Sequence, residues 1–129
     1  MNKRIILTAS FFGLTAVALG AFGAHGLTGK ISKDQLEVWK TAVDYQFYHT
    51  AALLFLSTFS RAKNNYIRFS FVTFTLGVVL FSGSLYLLTS YSITGFGSPA
   101  IFGPITPIGG LCFLLGWLGL IVATVKNKG

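Results

Sequence analysis

Apolar residues fall in four long runs separated by charged or glycine- and proline-rich breaks. Ile5 to Ala24 is twenty residues without a charge, enough to cross about 30 Å of hydrocarbon as a helix. A second run from Asp44 to Ser60 is the least apolar, a third covers Phe69 to Ser90, and a fourth follows Thr106-Pro107 to Lys126. The pattern predicts an all-α integral membrane protein, a single domain over 1–129 in which four transmembrane helices form a small antiparallel bundle. Crossings are expected close to 5–24, 44–60, 69–90 and 107–125.

The basic start (Lys3, Arg4), the apolar run and the small residues Ala21 to Ala24 would also suit a cleavable secretory leader. Spacing favours retention, because Ala9, Gly13, Ala16, Gly20 and Gly23 recur at four, three, four and three. That rhythm lays a narrow seam where another helix can approach closely. Gly109, Cys112, Gly116, Gly119 and Ala123 repeat at the same pitch in the last run, so the two seams are expected to face each other.

Between the first two runs, Ser32 followed three residues on by Gln35 reads as a capping box opening a helix. Lys33/Glu37 and Lys40/Asp44 stand four apart, and Leu36, Trp39, Val43, Phe47 and Leu54 form an apolar stripe. This helix is therefore expected to begin as an amphipathic extension at the interface, with Trp39, Tyr45 and Tyr48 in the aromatic belt, and to continue into the second crossing. Gly95, Gly97, Pro99 and Pro104 prevent a continuous helix over 91–105, so that link should fold against the helix ends. Thr106-Pro107 supplies an N-cap and a first-turn proline for the last helix.

Composition agrees with a membrane class: charged residues are 10% and apolar ones 53%, too little charge to cover a soluble surface. The net charge of +7 does not point to nucleic acid, since the ten Lys/Arg sit in short clusters and not along one stripe. Lys3, Arg4, Arg61, Lys63, Arg68, Lys126 and Lys128 flank one side of the expected membrane. Lys30, Lys33 and Lys40, offset by Asp34, Glu37 and Asp44, lie on the other. Both termini are thus expected in the cytoplasm. The single Cys112 permits no internal disulfide and reads as a small packing residue.

Four blocks carry a resemblance. Gly20 to Leu27 (GAFGAHGL), Trp39 with Tyr45 to His49 (YQFYH), Leu80 to Tyr86 (LFSGSLY), and Thr106 to Gly110 with Gly116-Trp117 resemble the bacterial YgdD/YwdK-type family of small multi-pass inner-membrane proteins. The blocks span nearly the whole chain in matching order. The resemblance implies a bacterial plasma-membrane protein, in a family whose domain is of unknown function, and it brings no catalytic residue.

The polar residues within or beside the crossings are His25, Asp44, Gln46, His49, Ser82 and Ser84. An Asp, Lys or Arg in a membrane segment costs about 2.5–3.5 kcal/mol on insertion scales and a neutral His far less, yet both Asp44 and His49 call for a reason. His49 could be a proton relay, a lipid-headgroup contact or a metal or haem ligand. The plainer reading is a neutral imidazole hydrogen-bonded between helices, for instance to a serine of the third. Asp44 with Lys40 reads as an interfacial ion pair, and His25 as an ordinary helix-end residue. No phosphate loop, metalloprotease motif or nucleophile–base pair is present, so neither an enzyme nor a bound cofactor or metal is expected.

Three functional classes follow. The leading one is a structural, lipid-interacting or accessory membrane component, with the bilayer as its partner and self-association or a membrane-protein partner open. A small oligomeric transporter or channel using His49 and Asp44 is the second, although five residues put these about 140° apart around a helix. The third is a cofactor or redox protein using His25 and His49 together.

Overall fold

The computed structural model describes residues 2–59 and 64–126, and all of its regular elements are helical. Ser60, Arg61, Lys63 and Lys128, which mark the end of the second run and three of the expected cytoplasmic charges, lie outside the described residues. Helix α1 spans Lys3–His25, with Asn2 as its N-cap accepting from the Arg4 and Ile5 amides. Helix α2 spans Lys33–Leu56 and opens with the capping box that the Ser32/Gln35 spacing predicts, both reciprocal bonds measuring 3.1 Å. A single 3₁₀ turn, Ser57–Phe59, follows it.

Helices α3 (Asn65–Gly77) and α4 (Gly83–Thr94) are joined without a break by a π turn at Val78–Ser82. The π turn accommodates one extra residue, which carries the buried stripe from Phe74 and Gly77 to Ser82 and Thr89. Gly95 ends the rod in the left-handed conformation, and Gly97, also at positive φ, lies so close to the Leu87 carbonyl that a side chain would strike it. The link thus folds back onto α4, through the short helix α5 (Pro99–Phe102), before α6 (Ile105–Lys126). Thr106 is not the N-cap expected of it. It lies inside α6, where its hydroxyl meets Ser84 at 2.6 Å, and Pro107 falls in the first turn, where its missing N–H costs no bond.

Three segments are long and apolar enough to cross a membrane: Lys3–His25, Asn65–Thr94 and Pro99–Lys126. α2 matches them in length, but it carries Lys33, Asp34, Glu37, Lys40 and Asp44.

The two small-residue seams do not face each other. α1 packs along α2, and α6 along α3 and the π turn. Gly13 faces Thr50, Gly20 faces Val43 and Gly23 faces the Trp39 ring, while Gly116 faces Phe74 and Gly119 faces Ser70. Short links favour antiparallel neighbours, so each seam serves the helix beside it in the chain. Cys112 is half-buried beside its seam, and Phe113 occupies the buried track instead, completing it with Gly109, Gly116, Gly119 and Ala123. Ala9 and Ala16 are fully buried in α1.

The apolar stripe expected along α2 is also redrawn. Phe47 and Leu54 are 39% and 46% exposed, whereas the buried face runs through Trp39, Val43, Gln46, His49, Thr50 and Leu53. In lipid an apolar side chain gains nothing by turning inward, while a polar one must find a partner. Trp39, expected to face the membrane interface, instead turns its ring inward: it is buried, with its indole N–H donating to Leu19 O at 2.9 Å.

Candidate functional site: a buried polar ladder

Local sequence brings hydroxyls, an amide and an imidazole onto the inner face of α2 and the helices around it. Gln46 sits at the centre, 3% exposed. Its Nε2 donates to Phe12 O and to Thr15 Oγ1, each at 2.8 Å, and its Oε1 accepts from the Tyr86 hydroxyl at 2.7 Å. Thr15 gives its own proton to Phe11 O at 2.9 Å, which leaves its oxygen free to accept. One turn toward the start of α2, Ser82 donates to Ala42 O at 2.7 Å. The π turn makes this possible, because an uninterrupted α-helix would present residue 81 to α2 in its place.

His49 holds the next level. Its Nδ1 lies 2.7 Å from Tyr45 O, and the Trp117 indole N–H donates to its Nε2 at 3.2 Å. A carbonyl only accepts and an indole N–H only donates, so the geometry selects one state of the ring, the neutral tautomer protonated at Nδ1. Phe113 stacks on the imidazole with centroids 3.6 Å apart and planes 8° from parallel. The partner is therefore Trp117 of α6 and not a serine of α3. The serine that does bridge to α6 is Ser70, which donates to Gly116 O at 2.8 Å. Ser84 bonds back to Phe81 O and across to Thr106.

Gln46, His49, Ser82 and Ser84 thus join one ladder, while His25 and Asp44 stand outside it. His25 is exposed at the end of α1, and Asp44 is half-buried on another side of α2. Because Gly13 of α1 is level with Thr50, His25 lies twelve residues along the helix from the level of His49. At ~1.5 Å per residue that is about 18 Å, too far for the two rings to share a metal or haem. Among the described residues no three of His, Cys, Asp and Glu gather as a metal-binding group would.

Tyr86, Trp117, Thr15 and Ser70 belong to the ladder and were not foreseen. Tyr86 and Trp117 stand in the recurring blocks, and a buried aromatic with a polar tip usually needs a partner, which was the available signal. Among the described residues, no buried side-chain nitrogen or oxygen lacks a hydrogen-bond partner. The ladder's chemistry is cohesion: it satisfies each inward polar group by tying one helix to another.

The UPF0382 membrane protein SAB0533 of Staphylococcus aureus is 42% identical over 127 residues, covering 98% of this chain and 99% of its own length. UPF0382 membrane protein YwdK of Bacillus subtilis is 42% identical over 127 residues, covering 96% and 98%. No solved structure matches the chain. Residues 19–110, which hold α2, the π turn, Gln46, His49 and Tyr86, match a family model, and the chain belongs to that family of membrane proteins, described as "Protein of unknown function (DUF423)".

Proposed function

We propose that this chain is a four-span, non-enzymatic protein of the bacterial cell membrane, with both termini cytoplasmic, which acts as a lipid-facing structural or accessory component. The observation that carries this reading is the closure of the ladder. A solute path needs polar groups facing a lumen. Here Gln46, Ser82 and both ring nitrogens of His49 are engaged by neighbouring helices. Asp44 lies on a different side of α2, which weakens a shared pore or relay.

Register supports α2 as the fourth crossing. It runs antiparallel to α1 from the Gly23–Trp39 contact to the bond from the Asn2 amide to Ser57 O, 3.2 Å. If α1 spans the bilayer, residues 39–57 of α2 occupy the same layer, and Lys33, Asp34 and Glu37 clear it. Charge supports the orientation, since Lys3, Arg4, Arg68 and Lys126 gather at one end of the bundle and all three acids at the other.

The test is flux through purified protein in liposomes over a broad panel of ions and small solutes. No transport above empty vesicles is expected. A saturable flux abolished by His49→Ala would overturn the proposal.

A further inference from the structure

Outside the ladder, the C-terminal part of α1 and the N-terminal part of α2 enclose a cavity of 580 Å³. Its apolar side is Gly20, Gly23, Trp39 and Val43, with small residues keeping α1 low against α2. Its rim is Lys33, Glu37, Lys40 and Asp44. Steps of four, three and four put these on one stripe of α2, with neighbours about 5–6 Å apart at their Cβ atoms and signs alternating plus, minus, plus, minus. The cavity lies at the level of the last turns of α1, which is the headgroup boundary if α1 spans the bilayer.

From this we infer that the groove binds the headgroup of a membrane phospholipid bearing a primary ammonium, of the ethanolamine type. An anion site would be wholly basic and a cation site wholly acidic, whereas an alternating rim is complementary to a zwitterion. The lysines take the phosphate as charge-assisted donors, and the intervening carboxylates accept from the ammonium. The two-carbon arm between phosphate and nitrogen is about as long as one ~5.4 Å helical turn, so the two groups reach successive rim residues. Asp44 is half-buried and lies one turn from Lys40 along the rim, so a carboxylate and an ammonium stand side by side there.

A trimethylammonium head fits less well, because it cannot donate to a carboxylate and is held by open aromatic faces. Trp39 offers none: its ring packs on Tyr86 with centroids 4.7 Å apart and on Phe22 at 6.0 Å. The acyl chains have a track below the groove, where Val17 and Phe47 are exposed.

The experiment is native mass spectrometry of the full chain in mild detergent. It compares ethanolamine, choline and glycerol phospholipids with identical chains at equal concentration. One ethanolamine lipid should be retained per chain, at least about tenfold in excess of either competitor. Lys40→Gln/Asp44→Asn should bring it down to the choline level with the melting curve unchanged. Should that variant fail to fold, the single exposed substitution Glu37→Gln must lower the selectivity. Equal retention of the three lipids, preference for the glycerol lipid, or undiminished selectivity in a folded variant would overturn the assignment. Competition by chain-free O-phosphoethanolamine at equal concentration would move the site to a soluble headgroup and overturn it too. The inference rests on the lipid-facing reading, yet the tests separate: solute flux would defeat that reading alone, and equal lipid retention this site alone.

Discussion

Tyr86 of α4 donates its hydroxyl hydrogen to Gln46 Oε1 of α2 over 2.7 Å, and the same amide donates onward to Phe12 O and Thr15 of α1. Three helices therefore meet at one side chain. Interhelical hydrogen bonds in membranes are worth about 0.6 kcal/mol on average and at most ~1.7. Tyr86→Phe should cost within that range. Gln46→Leu should cost more, about 1.5–3 kcal/mol, because it leaves the tyrosine hydroxyl without its acceptor. A double-mutant cycle on thermal or denaturant unfolding in detergent checks this, and a coupling indistinguishable from zero would dissolve the node.

The pairing of His49 with Trp117 and Tyr45 O makes a spectroscopic prediction. Nitrogen-15 spectra of histidine-labelled protein in lipid should show His49 neutral, with its proton on Nδ1 and a bare, hydrogen-bonded Nε2. Trp117→Phe should shift the Nε2 resonance while leaving the Nδ1 proton in place, and should cost about 0.5–1.5 kcal/mol. A ring found protonated on Nε2 contradicts the arrangement.

Glycines of the two seams should differ in their tolerance of a methyl group. A Cβ at Gly13 meets only Thr50 Cγ2, at 3.6 Å, an ordinary contact. At Gly109 it runs into the backbone of Phe81, with its Cα at 2.7 Å, and backbone cannot turn aside. Gly13→Ala is therefore expected to be near neutral and Gly109→Ala to destabilise by about 1–3 kcal/mol. Melting of the two variants side by side decides it, and equal effects would mean that α6 does not sit this close to the π turn.

Threading is open to chemical labelling. In a Cys112→Ser background, Ser98→Cys should react with a membrane-impermeant maleimide in intact cells, while Asn64→Cys should react only after permeabilisation. The reverse pattern would invert the proposed orientation.

Local chemistry was the most legible part of the chain. The Ser32/Gln35 box needs only four residues, and it forms as the spacing predicts. Three of the runs gave helices of membrane-crossing length and apolarity. Facing was harder to read, because periodicity arguments assume water outside. Phe47 and Leu54 fit an apolar stripe on paper, yet the inward face of α2 is set by which polar groups find partners, hence Gln46 and His49. Pairing across distance was not legible either: His49 finds Trp117 sixty-eight residues away, and nothing near either residue names the other. The seams were recognised by their pitch, but pitch does not specify a mate, and connectivity chose α2 for one and α3 for the other.

The π turn at Val78–Ser82 gives the longest helix two allegiances. Before it, Ser70, Phe74 and Gly77 answer to α6; after it, Ser82 and Tyr86 answer to α2. What separates the two is a tally of residues and not their identity. Wound at ordinary α pitch with no residue removed, the same helix would rotate everything beyond the turn by about 100°. Ser82 and Tyr86 would swing away from Ala42 and Gln46 with every side chain intact. In this segment length itself is encoded information, and a substitution scan would never detect it.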